Sequence, residues 1–275
     1  MYSLILIDSD FNVAVGKVAL DADTKGSKST AVGHATLTDQ NFSTATDSHN
    51  TAVGYAAGGA VTTGQYNTFV GSTSGDAVTD ADENVAVGYN SLTSNTTASS
   101  NTAVGHDCLK VNTTGAQNSA GGAKALDANT TGGENVALGY EALTKNTTAS
   151  QNTAVGAYAL EDNTTGASNV AVGYQALVEN TTASNNTGIG YFALNKNTTG
   201  TSNAALGTNA LKDITTNSNC TAVGKDALKS NTVSGSTAVG FAALEANVTG
   251  VQNTAVGFQA AALSTAGYCT AVGYQ

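Results

Sequence analysis

The sequence predicts an all-β fold, a parallel β-solenoid flattened into a β-roll of 17-residue coils with about 16 rungs. Three observations carry that reading. The first is a period. Glycines that close an AVG-like segment recur from Gly16, Gly33, Gly54 and Gly71 through to Gly273, and twelve of their fifteen spacings are 17 residues, the others being 21, 16 and 16. The second is alternation within each copy, where small residues and β-branched residues change places with a period of two, the pattern of a short strand. The third is composition. The chain has 31 Gly, no Pro, no Trp and 6% aromatic residues, and most of its 40% hydrophobic content is Ala and Val. A solenoid grows along one axis without a globular core, so the length of 275 residues does not require two ordinary domains.

The copy from Asn152 to Ser168, NTAVGAYALEDNTTGAS, serves as the reference. Four residues before the glycine, Asn152 opens a column that is Asn in twelve of sixteen copies. Stacked amides hydrogen-bond along such a column, which explains Asn where a turn alone would accept Asp or Gly. Thr153, Ala154 and Val155 form the strand, and Gly156 supplies a bend that needs positive φ or close backbone approach. After the glycine come an aromatic-favoured column (Tyr174 is typical), a polar column, a small column that is mostly Ala, and a column containing Leu160 and Leu177. Ala and Leu favour helix, but four residues are too few to nucleate one, so this YxAL unit is expected to form a second short strand. The coil ends in NTTG or NTTAS, a stretch of turn-forming residues. Seventeen residues at about 3.3 Å each give a perimeter near 56 Å, which suits a roll two strands deep.

Each coil offers one Val, one Leu, often a Tyr and several Ala. That is little large apolar side chain for a free-standing roll, so the Leu and Tyr columns are expected to bury against other copies in a homotrimer. Residues 1–11 read as an N-terminal cap or junction, with the apolar run Leu4–Ile7, and residues 12–275 as the roll. Four extra residues near 38–49 should bulge as a loop. The last coil stops in mid-repeat at Tyr274–Gln275, and since a solenoid normally ends in a capping element, the expectation is either a fragment of a longer chain or another element covering that end.

Chemistry beyond stacking is sparse. The net charge is −10 and all ten basic residues are Lys, which argues against a nucleic-acid partner. No apolar run approaches the ~18 residues of a membrane span, so no membrane insertion is expected. Cys220 and Cys269 share a column three coils apart, roughly 14 Å at ~4.8 Å per coil, too far for a disulfide. With Cys108 they read as small buried-type residues, links between chains being the functional alternative. His34 and His106 fall in the Tyr column as aromatic-like fillers, whereas His49 lies beside the insertion within reach of a ligand. Asp21 with Asp23, and Asp80, Asp82 and Glu83, are the candidate cation turns, but no calcium-binding loop motif accompanies them, and solvated acidic turns are expected. A catalytic site needs a converged set of unlike groups, and repetition supplies rows of like groups. No enzyme activity, cofactor or metal is therefore expected.

The repeat NTAVGYxALxxNTTGxxN resembles the repeats of bacteriophage tail fibres and related surface fibres, and is similar to the NxxAxG-type coils of trimeric autotransporter adhesin heads. The resemblance runs from Asn12 onward. It implies a left-handed parallel β-roll assembled from three chains around one axis. It also implies a stiff structural and adhesive module of a phage tail or virion appendage, presenting a contact with a host cell-surface receptor or glycan and joined to other fibre or virion proteins. A bacterial cell-surface adhesin head is the alternative implied by the same likeness. From the residues themselves, an ice-binding solenoid is a third reading, because a flat Thr-x-Val ladder orders water if it faces outward. A depolymerase would need two suitably spaced carboxylates in a groove, which this chain hardly supplies.

Overall fold

The structure is a computed structural model that describes residues 11–274. The expected cap at Leu4–Ile7 lies outside the described residues. The chain forms two compact units, Met1–Asn135 and Val136–Gln275, and among the described residues there is no helix.

In the first unit, three-residue strands run from Val13–Val15 through Thr30–Val32, Thr51–Val53, Thr68–Val70, Val85–Val87 and Thr102–Val104 to Ser119–Gly121. Successive strands within this unit pair in parallel, column over column, as in Val85↔Thr102, Ala86↔Ala103 and Val87↔Val104. In the second unit the strands run from Val136–Leu138 to Thr270–Val272. Thr153 pairs with Val170, Ala154 with Ala171 and Val155 with Val172. Each unit is thus a parallel β-solenoid in the expected register.

The glycine column meets both conditions expected of it. Gly156 has φ +131°, and a Cβ there would lie 2.6 Å from the carbonyl oxygen of Gly173 on the next rung. Only a residue without a side chain allows the backbones to approach this closely.

The expected second strand is not formed. Tyr174 to Glu179 runs as consecutive turns, because Gln175 (φ 53°) and Leu177 (φ 52°) adopt left-handed conformations on either side of Ala176. Gln175, Ala176 and Leu177 are none of them β-branched, the residue type that holds an extended backbone. It still hydrogen-bonds to both adjacent coils, with Gln175 N donating to Ala157 O at 3.1 Å and Leu177 N to Ala193 O at 3.0 Å. A typical coil therefore has one strand, and its opposite side is a ladder of turns.

That geometry also reverses the expected role of the Leu column. Leu160 and Leu177 are fully buried, a Cβ built on Gly188 of the next coil's strand would lie 3.3 Å from Leu177 Cδ1, and neither leucine takes part in an outward surface. A left-handed Leu costs about 1–2 kcal/mol, and burying its side chain returns about 1.5–3 kcal/mol, so the turn is sustained by what it buries. One rung shows the same logic in reverse. Phe69 stands where the other strands have Ala or, once, Gly188, and Gly58 and Gly75 stand where adjacent coils have Leu. A Cβ at Gly75 would lie 2.4 Å from Phe69 Cε1, and one at Gly58 2.7 Å from Phe69 Cδ2. One buried ring fills the space of two leucines.

The insertion near 38–49 is ordered rather than a simple bulge. Thr46–Asp47 pairs in parallel with Gly26–Ser27 as a second, two-stranded sheet, and Phe42 tucks in to 5% exposure.

Candidate functional site

The buried polar residues of the coils form two amide ladders. Asn152, in the column singled out from sequence, is fully buried. Its side-chain NH2 donates to Gly166 O at 3.0 Å, and its Oδ1 accepts from the backbone N–H of Asn169 at 3.0 Å. Asn169 repeats the pattern, donating to Ala183 O at 2.9 Å and accepting from Asn186 N at 3.0 Å. Sequence reasoning missed the second ladder. The Asn of NTTG was read as part of a polar turn, yet Asn146, Asn163, Asn180 and Asn197 are all fully buried. Asn163 Nδ2 donates to Asn146 Oδ1 at 3.1 Å, Asn180 to Asn163 at 2.8 Å, and Asn197 to Asn180 at 3.1 Å. Asn197 Oδ1 finds no partner, because the next coil places Ile214 in that column. The signal was available: the same Asn recurs in seven consecutive coils from Asn95 to Asn197.

The opposite side of each strand is the candidate functional surface. Strands show outward Thr and Val flanking a buried Ala. In the second unit the column of Val155 contains Leu138, Ile189 and Leu206, which are 46%, 37% and 50% exposed. Beside it runs the aromatic column. Tyr174 and Tyr191 are 41% and 49% exposed and stack with ring centroids 5.6 Å apart. After Thr208 and Lys225 interrupt the column, Phe241, Phe258 and Tyr274 resume it with centroid spacings of 5.0 and 5.5 Å. His34 and His106 behave as the aromatic fillers expected, stacking on Tyr55 and Tyr89 at 5.4 Å. The result is a ribbon of aliphatic and aromatic side chains on the outside of a rigid backbone. Contiguous exposed apolar surface of this kind marks an interaction site.

The remaining singled-out groups are engaged structurally. Cys108 and Cys220 are buried and Cys269 half-buried, all with free thiols. Burial pushes the Cys108 thiol up to about 12 and raises that of Cys220, so neither is a thiolate at neutral pH. Asp23 is buried and accepts from Gly26 N and Gln40 Nε2, both at 2.8 Å. In the acidic stretch, Asp82 accepts from Gln65 N at 2.7 Å and Glu83 from Ser100 Oγ at 3.1 Å. Burial raises the carboxyls of Asp76 and Asp127. Among the described residues, no three His, Cys, Asp or Glu side chains gather as a metal site. Lysines pair with carboxylates one coil on, as in Lys145 with Asp162 and, at 2.8 Å, Lys196 with Asp213.

His49 lies where the insertion returns, stacked on Tyr66 at 5.4 Å. Two residues before it, Asp47 accepts from Lys28 Nζ and Ser27 Oγ, both at 2.6 Å, beside a hollow lined by residues of the first coils. Comparison with protein-family models, with curated proteins and with solved structures finds no match.

Proposed function

We propose that this chain is a structural fibre and adhesion module of a phage tail or other virion appendage, without catalytic activity. In this reading it acts as a stiff spacer that assembles as a homotrimer and presents contacts to a host-cell receptor or glycan. The observation that carries the proposal is the outward ribbon of Val155, Ile189, Leu206, Tyr174 and Tyr191. These apolar side chains are not enclosed by the coil, and Val155, Ile189 and Leu206 fall in one strand column in register from rung to rung. Three copies packing these ribbons about one axis would give each coil the apolar burial that its Asn- and Ala-rich interior does not provide. Three copies on one axis also raise the effective concentration of host contacts. Sedimentation equilibrium tests the assembly. The expected mass is three times the 27.2 kDa chain, and a particle of one chain mass that persists at high concentration overturns the proposal.

A second reading is favoured by one observation. The Thr153 and Val155 columns face outward from a parallel sheet, which is the orientation an ice-binding solenoid requires. Thermal hysteresis of a purified monomer, abolished by substituting outward Thr, would select it over the fibre.

A further inference from the structure

We propose that the hollow made by the insertion is a saccharide-binding site. The inference deepens the reading of the chain as a host-surface module by naming a ligand class and the coils that take it. The hollow measures about 1070 Å³, large enough for a small ligand by the usual range of about 300–1,000 Å³. Its walls include Phe11, Ser27, Lys28, Ser43, Thr46 and Asp47. Among the described residues, only these first coils carry a second strand pair, Gly26–Ser27 with Thr46–Asp47. That pair sets the carboxylate of Asp47 against the Ser27 hydroxyl and the Lys28 ammonium at 2.6 Å each, so it is oriented before any ligand arrives.

The chemistry discriminates among ligand classes. A phosphate or sulfate ester needs a free cation, but Lys28 is paired with Asp47 and Lys25 donates to Ser43 O at 2.7 Å. A divalent cation needs several carboxylates, and the hollow offers one. An apolar ligand would strip water from the Asp47 carboxylate and the Lys28 ammonium without replacing it. What remains suits a polyhydroxylated ring. Vicinal sugar hydroxyls donate to the Asp47 oxygens and accept from Lys28. Serine and threonine hydroxyls serve in both senses. The C–H face of the sugar rests on the exposed Phe11 ring.

Titration of the isotope-labelled full chain with methyl glycosides of glucose, galactose, mannose and N-acetylglucosamine tests this by NMR. At least one glycoside is expected to shift the amides of Thr46, Asp47 and His49. Asp47→Asn should weaken that binding about tenfold or more, as loss of charge-assisted hydrogen bonds does, and Ser43→Trp, which fills the hollow, should abolish it. Tyr174→Ala in the second unit should leave it unchanged. The inference is overturned if no glycoside shifts those amides, or if binding survives both hollow substitutions in folded protein. Mass measured on the same samples separates the two proposals. A trimer that binds no glycoside defeats this inference alone, and a monomer that binds one defeats only the trimeric fibre.

Discussion

Replacing Asn169 with Ala tests whether buried amides hold the coils together. The substitution removes the donor to Ala183 O at 2.9 Å and the acceptor for Asn186 N at 3.0 Å, both in buried surroundings. It also removes the 3.2 Å contact with Asn152 Oδ1. Each buried polar group left without a partner costs about 1–3 kcal/mol, so the two orphans together cost about 2–6 kcal/mol. Long repeat arrays need not unfold in two states, so a single melting midpoint is a poor measure. Hydrogen exchange read amide by amide is better. Protection of Asn186 N–H and of the strand Thr187–Ile189 should fall by the corresponding factor, with the loss fading in coils further away, as nearest-neighbour coupling requires. Asn169→Asp adds a sign. Burial raises the folded-state pKa of the new carboxyl above its unfolded value, so the folded form binds more protons and the variant gains stability as pH falls through the raised value. Asn169→Ala with unchanged protection at Asn186, or an Asp variant that is most stable at neutral pH, would refute the view that the ladder is cohesive.

Four further outcomes are expected. Gly156→Ala should abolish cooperative folding of its coils, since the new Cβ meets the Gly173 carbonyl at 2.6 Å in a φ region that L residues rarely adopt; circular dichroism melting checks it. Phe69→Ala should cost about 3–5 kcal/mol through the cavity it leaves, and adding Gly58→Leu with Gly75→Leu should recover most of that loss in urea titrations, because Leu already occupies this column at φ near 50° in other coils. Asp127→Asn should raise stability at pH 7: burial raises the Asp127 carboxyl, so the native protein gains stability as pH falls through that raised value, and the variant should lose this gain when melts at pH 7 and pH 4 are compared. Ile189→Lys with Leu206→Lys should leave the coil folded, as both side chains are outward, yet reduce a trimer to one chain mass in sedimentation.

The parts of the fold that were legible in the sequence are those averaged over many copies. Asn152, Val155 and Gly156 each stand for a column, and a column read many times reveals spacing, strand and register with little ambiguity. Leu177 was not legible in the same way. Its identity recurs as faithfully as that of Val155, but the direction of its side chain depends on the left-handed conformations of Gln175 and Leu177. Propensity scales do not anticipate that conformation for Leu, so the column was assigned to an intermolecular surface rather than to the core. Asn163 and Asn180 were misjudged because NTTG has the composition of an exposed turn. Their recurrence argued for burial as strongly as it did for Asn152. The insertion was visible as a break in spacing. Its pairing with Gly26–Ser27 was not, because two-residue strands have no period to detect.

The interior accounts for the exterior. Two Asn and two Ala columns occupy much of each typical coil's buried space, and only the Leu column contributes large apolar side chains there. Close glycine packing and amide hydrogen bonds therefore set the cohesion of one coil on the next, and both depend on exact register more than on apolar area. A scaffold held this way is stiff, because tilting one rung against another lengthens several hydrogen bonds at once. It also leaves its Val, Ile, Leu and Tyr side chains in water along the strand face. Single exposed hydrophobics are ordinary on any protein surface. Columns of them, fixed by the same register that holds the core, form a mostly apolar surface broken at rungs such as Thr208 and Lys225, and a partner that repeats at the rung spacing would match it. A second copy of the same chain has that repeat by construction, which is why we propose self-assembly, more than capture of a small ligand, as the use of this face.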